Sequence, residues 1–144
     1  MIEVRNISAK ETYAIRKEVL RKGVPKPVKF EGDEAKDTFH LGAFENEQLI
    51  AVSSYMKVAN HNFKGEQYQL RGMATLPHCQ GKGAGKKMLT KAIKQCRTLK
   101  IDCLWCNARI IAVNFYKKQG FKTVGTTFDI EYIGPHYVMY QYLV

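Results

Sequence analysis

The sequence contains no apolar stretch that approaches the roughly 20 residues of a membrane-spanning helix. Its first five residues include Glu3 and Arg5, where a secretory signal would place an apolar block. These two absences predict a protein of the cytoplasm that has no membrane partner.

Cysteine is also scarce, with 4 residues in a chain of 144. Cys79, Cys96, Cys103 and Cys106 lack the spacing of a disulfide framework, so we expect reduced thiols. Cys103 and Cys106 form a C-x-x-C pattern, but they lie in an apolar run that is typical of a buried strand. Positions three apart on a strand face opposite sides, so the pattern indicates neither a redox site nor a metal site, and we expect no metal.

Acidic residues are few, at 13 against 23 lysines and arginines, and the formal net charge is +10. None occurs between Glu66 and Asp102, in a stretch that carries basic residues throughout. This distribution favours an anionic partner. An acidic segment over residues 31 to 37 could attract a cationic amine, although a solvated loop is the simpler interpretation.

The remaining composition is that of a globular protein, with 45% apolar, 11% aromatic and 25% charged residues. Because a single core typically organises about 100 to 200 residues, we expect one domain over residues 1–144.

Periodicity and turn residues predict strands and helices in the order β, α, three β, α, β, α, β, β. The first helix begins at the capping box Ser8-Ala9-Lys10-Glu11 and ends near Lys22. The helix after residue 85 has apolar positions from Met88 to Leu99, and the next helix covers residues 110 to 118. Strands are predicted over residues 2–7, 39–45, 49–58, 67–76, 101–106, 121–133 and 136–144, with turns at Asn46-Glu47 and Gly134-Pro135.

Glycines at positions 81, 83 and 85 stand between a predicted strand and a predicted helix. Glycine lets the backbone approach a ligand, and amides at a helix N-terminus bind phosphate. Two nucleotide motifs are excluded by counting. A P-loop requires Ser or Thr where Lys87 stands, and a dinucleotide fingerprint requires glycine where Lys86 stands.

The spacing that does match is Gln80-x-x-Gly83-x-Gly85, through which the sequence resembles the GNAT superfamily of acyl-CoA-dependent N-acyltransferases. The resemblance extends over residues 69 to 75, over residues 107 to 109 and over Gly134-Pro135-His136. Ala112 with Phe115-Tyr116-x-x-x-Gly120-Phe121 is similar to the family signature A-x-x-F-Y-x-x-x-G-F. The resemblance covers nearly the whole chain and is most specific over residues 69 to 121. It implies an α/β (α+β) fold of three layers, with a mixed central sheet of about seven strands flanked by helices.

The resemblance implies acetyl-CoA as the cosubstrate. In the family, the strand before the loop splays from its neighbour, so that pantetheine pairs with free backbone groups, and the loop holds the pyrophosphate. Arg109 stands where many members have Asn, so the resemblance does not imply the usual amide contact to the cofactor at this position. The residues implied to bind the cofactor are Met73, Ala74, Thr75, Gln80, Gly81, Lys82, Gly83, Ala84, Gly85, Lys86, Asn107, Asn114, Phe115 and Tyr116.

Acetyl transfer from a thioester to an amine requires a neutral amine, stabilisation of an oxyanion and a proton for the leaving thiolate. The resemblance implies Tyr116 as the general acid and the backbone N–H of Met73 as the oxyanion donor. His136 is the leading candidate base, because a neutral imidazole accepts a proton directly or through water. Glu66, His78 and His40 are weaker candidates.

The sequence therefore predicts an N-acetyltransferase that acts on a primary amine of an unidentified small molecule or peptide by direct attack in a ternary complex. One alternative is a basic nucleic-acid-binding module, but no RNA-binding signature or zinc spacing supports nucleic acid as a partner. The other is a catalytically weak acyl-CoA-binding sensor. Arg71 and Arg109 either bind an acidic group on the acceptor or pair with structural carboxylates. A homodimer also remains open.

Overall fold

Seven strands form one mixed sheet in the computed structural model, which describes residues 1–143. They lie in the order β1-β2-β3-β4-β5-β7-β6, in which β4 and β5 pair in parallel and the other neighbours are antiparallel. This sheet and its flanking helices confirm the predicted fold class. The strands are β1 Ile2–Ile7, β2 Phe39–Glu45, β3 Gln48–Met56, β4 Gln67–Thr75, β5 Cys103–Arg109, β6 Lys122–Ile130 and β7 Gly134–Tyr142.

Three α-helices accompany the sheet in the described part of the chain: α1 Tyr13–Ile15, α2 Ala84–Thr98 and α3 Val113–Lys118. The amphipathic pattern predicted for the second helix is realised in α2, which buries its apolar side in the main core. Its buried residues are Ala84, Met88, Leu89, Ala92 and Cys96. None of the helices is long and apolar enough to cross a membrane within residues 1–143.

The capping box predicted before the first helix is present. The Ser8 N–H donates to Glu11 Oε1 at 2.9 Å, and the Glu11 N–H donates to Ser8 Oγ at 3.3 Å. The helix itself differs from the prediction. The α-helical part, α1, ends at Ile15, and a π-helical turn over Arg16–Leu20 follows it, so the helical segment ends before Lys22. This wider turn accompanies the burial of Arg16, whose ion pair is described below.

Turn positions were predicted with mixed success. Asn46 and Glu47 both have positive φ, at 51° and 63°, as a type I′ hairpin turn requires. The closing hairpin turns at residues 131 to 133 instead of at Gly134-Pro135, because Tyr132 adopts a φ of 70° and both Gly134 and Pro135 pair with β6. Val144, the last residue of the predicted closing strand, lies outside the described residues.

The strand that carries Cys103 and Cys106 starts two residues later than predicted and extends to Arg109. The reason is that the Ile101 N–H donates to the Cys96 carbonyl at 2.9 Å and so completes the end of α2.

The two cysteines of the C-x-x-C pattern lie on opposite faces of the sheet, as predicted. Cys103 packs with Phe63 and Trp105, whereas Cys106 belongs to the main core. All four thiols are buried and free, and burial raises the pKa of Cys96 to about 12 and that of Cys103 to about 11. Among residues 1–143, no group of three or more His, Cys, Asp or Glu side chains is arranged to hold a metal ion.

Candidate active site

The central strands β4 and β5 pair along only part of their length and then separate. Their register joins Gln67 to Cys103 and ends where Leu70 meets Cys106. Beyond this point β4 continues beside β3 alone, so a gap opens between β4 and β5. Backbone groups at this edge of β4 lack a neighbouring strand, and a ligand can therefore pair with them.

A bulge in β4 lies where the two strands separate. Arg71 faces Ser54 and Ala74 faces Val52, so two residues of β4 stand opposite one residue of β3. Gly72, inside the bulge, has a φ of +64°, a conformation that favours glycine. A Cβ at Gly72 would also lie 2.8 Å from Cε2 of Phe30. Glycine therefore provides both the backbone bend and the space for an aromatic ring.

The backbone direction after the bulge indicates which amides face the gap. The Leu76 N–H donates to the Ile50 carbonyl on the β3 side at 2.9 Å. Because backbone groups alternate in direction along a strand, Ala74 also faces β3, whereas Met73 and Thr75 face the gap. The Gln80 side-chain amide donates to the Thr75 carbonyl at 3.3 Å and so ties the glycine loop to the end of β4.

The glycine loop leads directly into α2, a helix of 15 residues. Gly83 is the N-cap residue with a φ of +86°, and no side chain within residues 1–143 caps this end of the helix. A Cβ built on Gly81 or Gly83 would meet no atom within 4 Å, so both positions border open space. Uncapped amides at the positive end of a long helix are suited to bind an anion.

Tyr116 on α3 is buried beside the gap. Its side chain is 6% exposed and packs edge-to-face against Phe115 and Phe121, with ring centroids 5.1 Å and 5.5 Å away. Burial raises the pKa of Tyr116 well above its ordinary value. The phenol is therefore protonated throughout the physiological pH range.

His136 on β7 is 4% exposed and lines the cleft beside this gap. Its Nδ1 lies 2.7 Å from the Gly134 carbonyl oxygen. Because a carbonyl oxygen accepts hydrogen bonds and never donates them, the hydrogen bond assigns the proton of the neutral imidazole to Nδ1. Nε2 then carries the lone pair that can accept a proton.

These elements enclose a cleft of about 210 Å³. Met73, Tyr116 and His136, the three residues predicted to take part in catalysis, all line it. Its floor is formed by residues of β4 and β5 at the point where the strands part. Residues from two further segments complete the lining. They are Leu20, Arg21 and Phe30, which precede β2, and Ile130 and Ile133, which flank the turn between β6 and β7.

Comparison with known proteins gives a consistent result. The family model of the acetyltransferase (GNAT) family matches residues 3–121. The chain belongs to this family. YitI of Bacillus subtilis (strain 168), named an uncharacterized N-acetyltransferase, is 37% identical over 145 residues, which cover 99% of this chain and 97% of YitI.

Solved structures support the same fold at lower sequence identity. Escherichia coli ElaA superposes with a TM-score of 0.81 at 20% identity, covering 98% of this chain and 99% of ElaA. FeeM, an N-acyl amino acid synthase from uncultured soil microbes, superposes with a TM-score of 0.84 at 14% identity, covering 99% of this chain and 91% of FeeM. Membership of the GNAT family identifies this protein as an acyltransferase, and the family uses acetyl-CoA as its cosubstrate.

The remaining predicted cofactor residues of this GNAT protein differ in their surroundings. Asn107 lines the cleft, whereas Asn114 is exposed on α3 and does not line it. The side chain of Ala74 is buried with Ile15 and Val52. Phe115 packs over Gly85, where an added Cβ would lie 3.2 Å from its Cζ.

The two lysines of the glycine loop also differ. Lys86 is exposed at the start of α2. The Lys82 ammonium is 2.9 Å from a Glu45 carboxylate oxygen, and this hydrogen bond lowers the pKa of Glu45. Lys82 is thus less available to an incoming anion than its sequence position indicates.

The weaker candidate bases do not line the cleft. His40 is buried between the Ser54 hydroxyl and the Asp33 carbonyl, at 2.7 Å and 3.0 Å. Glu66 and His78 are exposed elsewhere on the surface. His136 is the only one of the four candidates that lines the cleft beside the gap between β4 and β5.

Several residues that line the cleft were not identified from the sequence. Arg21 comes from the end of the predicted first helix, Phe30 comes from the polar segment before β2, and Ile130 and Ile133 flank the β6–β7 turn. Phe30 carries the one sequence signal, since it is an aromatic residue in a polar segment. It is 8% exposed.

Proposed function

We propose that this GNAT protein transfers the acetyl group of acetyl-CoA to a primary amine by direct attack in a ternary complex. The observation that carries the proposal is the separation of β4 and β5 beside a buried, protonated Tyr116. Aminolysis of a thioester requires a surface that binds the acyl donor and a group that donates a proton. The open backbone edge of β4 can provide the first, and Tyr116 can provide the second.

The residues present are suited to hold acetyl-CoA. The gap-facing amides of Met73 and Thr75 pair with the pantetheine arm as a neighbouring strand would. The uncapped N-terminus of α2 and the open positions at Gly81 and Gly83 receive the pyrophosphate. When bound, acetyl-CoA supplies the activated thioester.

Each of the three catalytic groups has a separate role: one accepts a proton, one stabilises negative charge and one donates a proton. His136 Nε2 takes a proton from the amine as its nitrogen bonds to the thioester carbon. The Met73 N–H donates a hydrogen bond to the resulting oxyanion. As the C–S bond breaks, Tyr116 donates its proton to the leaving sulfur. Afterwards His136 releases the proton it took from the amine to solvent, and Tyr116 regains one from solvent. The products are the N-acetylated amine and free CoA, with no net change in the enzyme.

Direct attack is supported by the state of the thiol that lines the cleft. Cys106 is the cysteine in the lining, and burial raises its pKa well above its ordinary value. A nucleophilic cysteine requires the thiolate, which an apolar environment disfavours. We therefore assign no acetyl-cysteine intermediate to the reaction.

Initial-velocity kinetics test this function. Thiol release from acetyl-CoA is measured with a panel of amino acids, polyamines, aminoglycosides and peptides while both substrates are varied. Intersecting double-reciprocal lines are expected for a ternary complex, and parallel lines would indicate a covalent intermediate. Binding of acetyl-CoA without thiol release from any amine would favour the sensor, and salt-sensitive oligonucleotide binding without competition by CoA would favour the nucleic-acid module.

Replacing His136 with Ala is expected to lower kcat roughly 100-fold, the lower range for loss of a general base, while the Kd for acetyl-CoA stays within about twofold. The reason is that His136 lines the cleft, to whose lining the glycine loop does not contribute. Steady-state kinetics and calorimetry measure the two quantities. His78→Ala, an exposed histidine outside the cleft, is the matched control. Unchanged turnover in His136→Ala would remove His136 from the mechanism.

A further inference from the structure

The lining of the cleft carries an excess of positive charge. Arg21, Arg71 and Arg109 all line it, and among residues 1–143 no aspartate or glutamate does. These arginines come from the segment before β2, the bulge of β4 and the end of β5, and the glycine loop does not contribute to the lining. The arginines therefore do not belong to the pyrophosphate site.

Arg71 lies beside a second, buried arginine. The Arg71 guanidinium carbon is 4.4 Å from the centroid of the Phe30 ring, and that of Arg16 is 3.7 Å from the same centroid. Arg21 approaches the ring to 5.2 Å. Burial is the main cause that lowers the pKa of Arg71, and repulsion from Arg16 and Arg21 lowers it further. One aromatic ring is thus surrounded by three guanidinium groups.

The nearest buried carboxylate neutralises only one of these groups. Asp33 accepts hydrogen bonds from both terminal nitrogens of Arg16, at 2.7 Å and 3.0 Å, and a third from the Phe30 N–H at 2.9 Å. Arg16 is fully buried, so this bidentate pair is intramolecular and permanent. Asp33 is therefore part of the scaffold that holds Phe30, and the acidic segment does not present it to a cationic substrate.

Arg71 and Arg109 have no such partner. The ion pairs formed within the described part of the chain involve Arg5, Arg16, Lys57 and Lys82. The arginine side chains that donate hydrogen bonds there are Arg5, Arg16, Arg21 and Arg97. No carboxylate within residues 1–143 forms an ion pair with either residue, which favours the interpretation that they bind an acidic group on the acceptor.

We propose that the acceptor is an amine that also carries an anionic group, and that Arg71 and Arg109 bind this group. The inference rests on the proposed acetyl transfer and names its substrate class. A guanidinium matches a carboxylate or phosphate through paired N–H donors, and both arginines line the cleft with these donors unpaired within residues 1–143.

The same charges favour the reaction. Nearby cations disfavour the ammonium form of a bound amine and so increase the fraction of neutral nucleophile. They also repel a purely cationic acceptor, whereas an anionic group on the acceptor offsets that repulsion and orients the amine. Polyamines and aminoglycosides are consequently expected to be poor acceptors.

Matched pairs of amines test the proposal. The kcat/KM for thiol release from acetyl-CoA is compared for serine and ethanolamine, phenylalanine and phenethylamine, and ornithine and putrescine, which differ by a carboxylate. O-phosphoethanolamine and ethanolamine differ by a phosphate. The anionic member is expected to be better by roughly 10- to 100-fold, as for a hydrogen bond to a charged group. Comparing the ratio for the carboxylate pairs with that for the phosphate pair shows which of the two anionic groups the protein prefers.

Two substitutions test whether these arginines cause the preference for an anionic acceptor. Arg71→Gln and Arg109→Gln are each expected to reduce the ratio of kcat/KM between the anionic amine and its matched partner roughly tenfold. Arg109 is exposed, so its replacement tests the proposal even if Arg71→Gln disturbs the packing of Phe30. Arg97→Gln, whose arginine donates to the Leu143 carbonyl outside the cleft, is the control and is expected to keep the wild-type ratio.

Calorimetry with acetyl-CoA, run on the same samples, separates this proposal from the proposed function. A ratio near one across the panel while acetyl-CoA binds overturns the anionic acceptor alone. A ratio that survives both arginine substitutions does the same. Acetyl-CoA binding without thiol release from any amine, in contrast, overturns the proposed acetyl transfer as well. Absence of acetyl-CoA binding would overturn the proposed function as well.

Discussion

Replacing Gly83 with Asp is expected to weaken acetyl-CoA binding by roughly 100-fold or more, because like charges brought together in a binding site cost several kcal/mol. Gly83 caps α2 and borders open space where the pyrophosphate is proposed to bind. A carboxylate at this position repels the phosphate and also cancels part of the attraction that the positive end of the helix dipole would exert on the phosphate. Isothermal calorimetry with acetyl-CoA measures the loss.

The control for this substitution is Gly83→Asn, which has the same shape and no charge. Both variants must adopt the φ of +86°, which Asn and Asp tolerate better than other side chains at a cost of about 1 kcal/mol. A Cβ here meets no atom within 4 Å, so neither variant is expected to disturb packing. Similar melting temperatures but different affinities are expected. Equal affinity of the Asp and Asn variants would show that α2 does not receive the phosphate.

Replacing Tyr116 with Phe is expected to lower kcat by roughly 100-fold or more, within the usual range for loss of a general acid, with the Kd for acetyl-CoA nearly unchanged. The ring and its contacts with Phe115 and Phe121 remain, so the substitution removes only the proton donor. Because burial raises the pKa of Tyr116 well above its ordinary value, ionisation of this group does not reduce the wild-type rate below about pH 10. Rapid-mix single-turnover kinetics separate the chemical step from product release.

Tyr140→Phe is the matched control, because Tyr140 packs on Phe63 at 4.8 Å on the opposite side of the sheet from Tyr116. This variant is expected to keep the wild-type kcat. Full activity in Tyr116→Phe would leave acetyl transfer without its proposed acid and would favour release of the thiolate to solvent.

Local sequence patterns predicted the elements whose causes are local. The capping box at Ser8 and Glu11, the hairpin turn at Asn46 and Glu47, and the amphipathic face of α2 each depend on residues within a few positions of one another. The family resemblance then placed these elements in a mixed sheet, which the strand order confirms. The turn of the closing hairpin was predicted wrongly, because the register of the two strands and not the Gly-Pro sequence decides where the turn lies. The turn at residues 131 to 133 replaced the expected Gly134-Pro135 turn because both residues pair with β6.

The sequence determined that a glycine-rich turn precedes an amphipathic helix and that a tyrosine follows in a family signature, because short-range spacing encodes both. Only the tertiary structure decided which charges remain without a partner. Asp33 lies 17 residues from Arg16 along the chain, yet the two form a buried pair, while Arg71 and Arg109 form no ion pair within residues 1–143. Pairing of charges depends on distances set by the packing of α1, β4 and the segment before β2, and no local pattern in the chain specifies those distances.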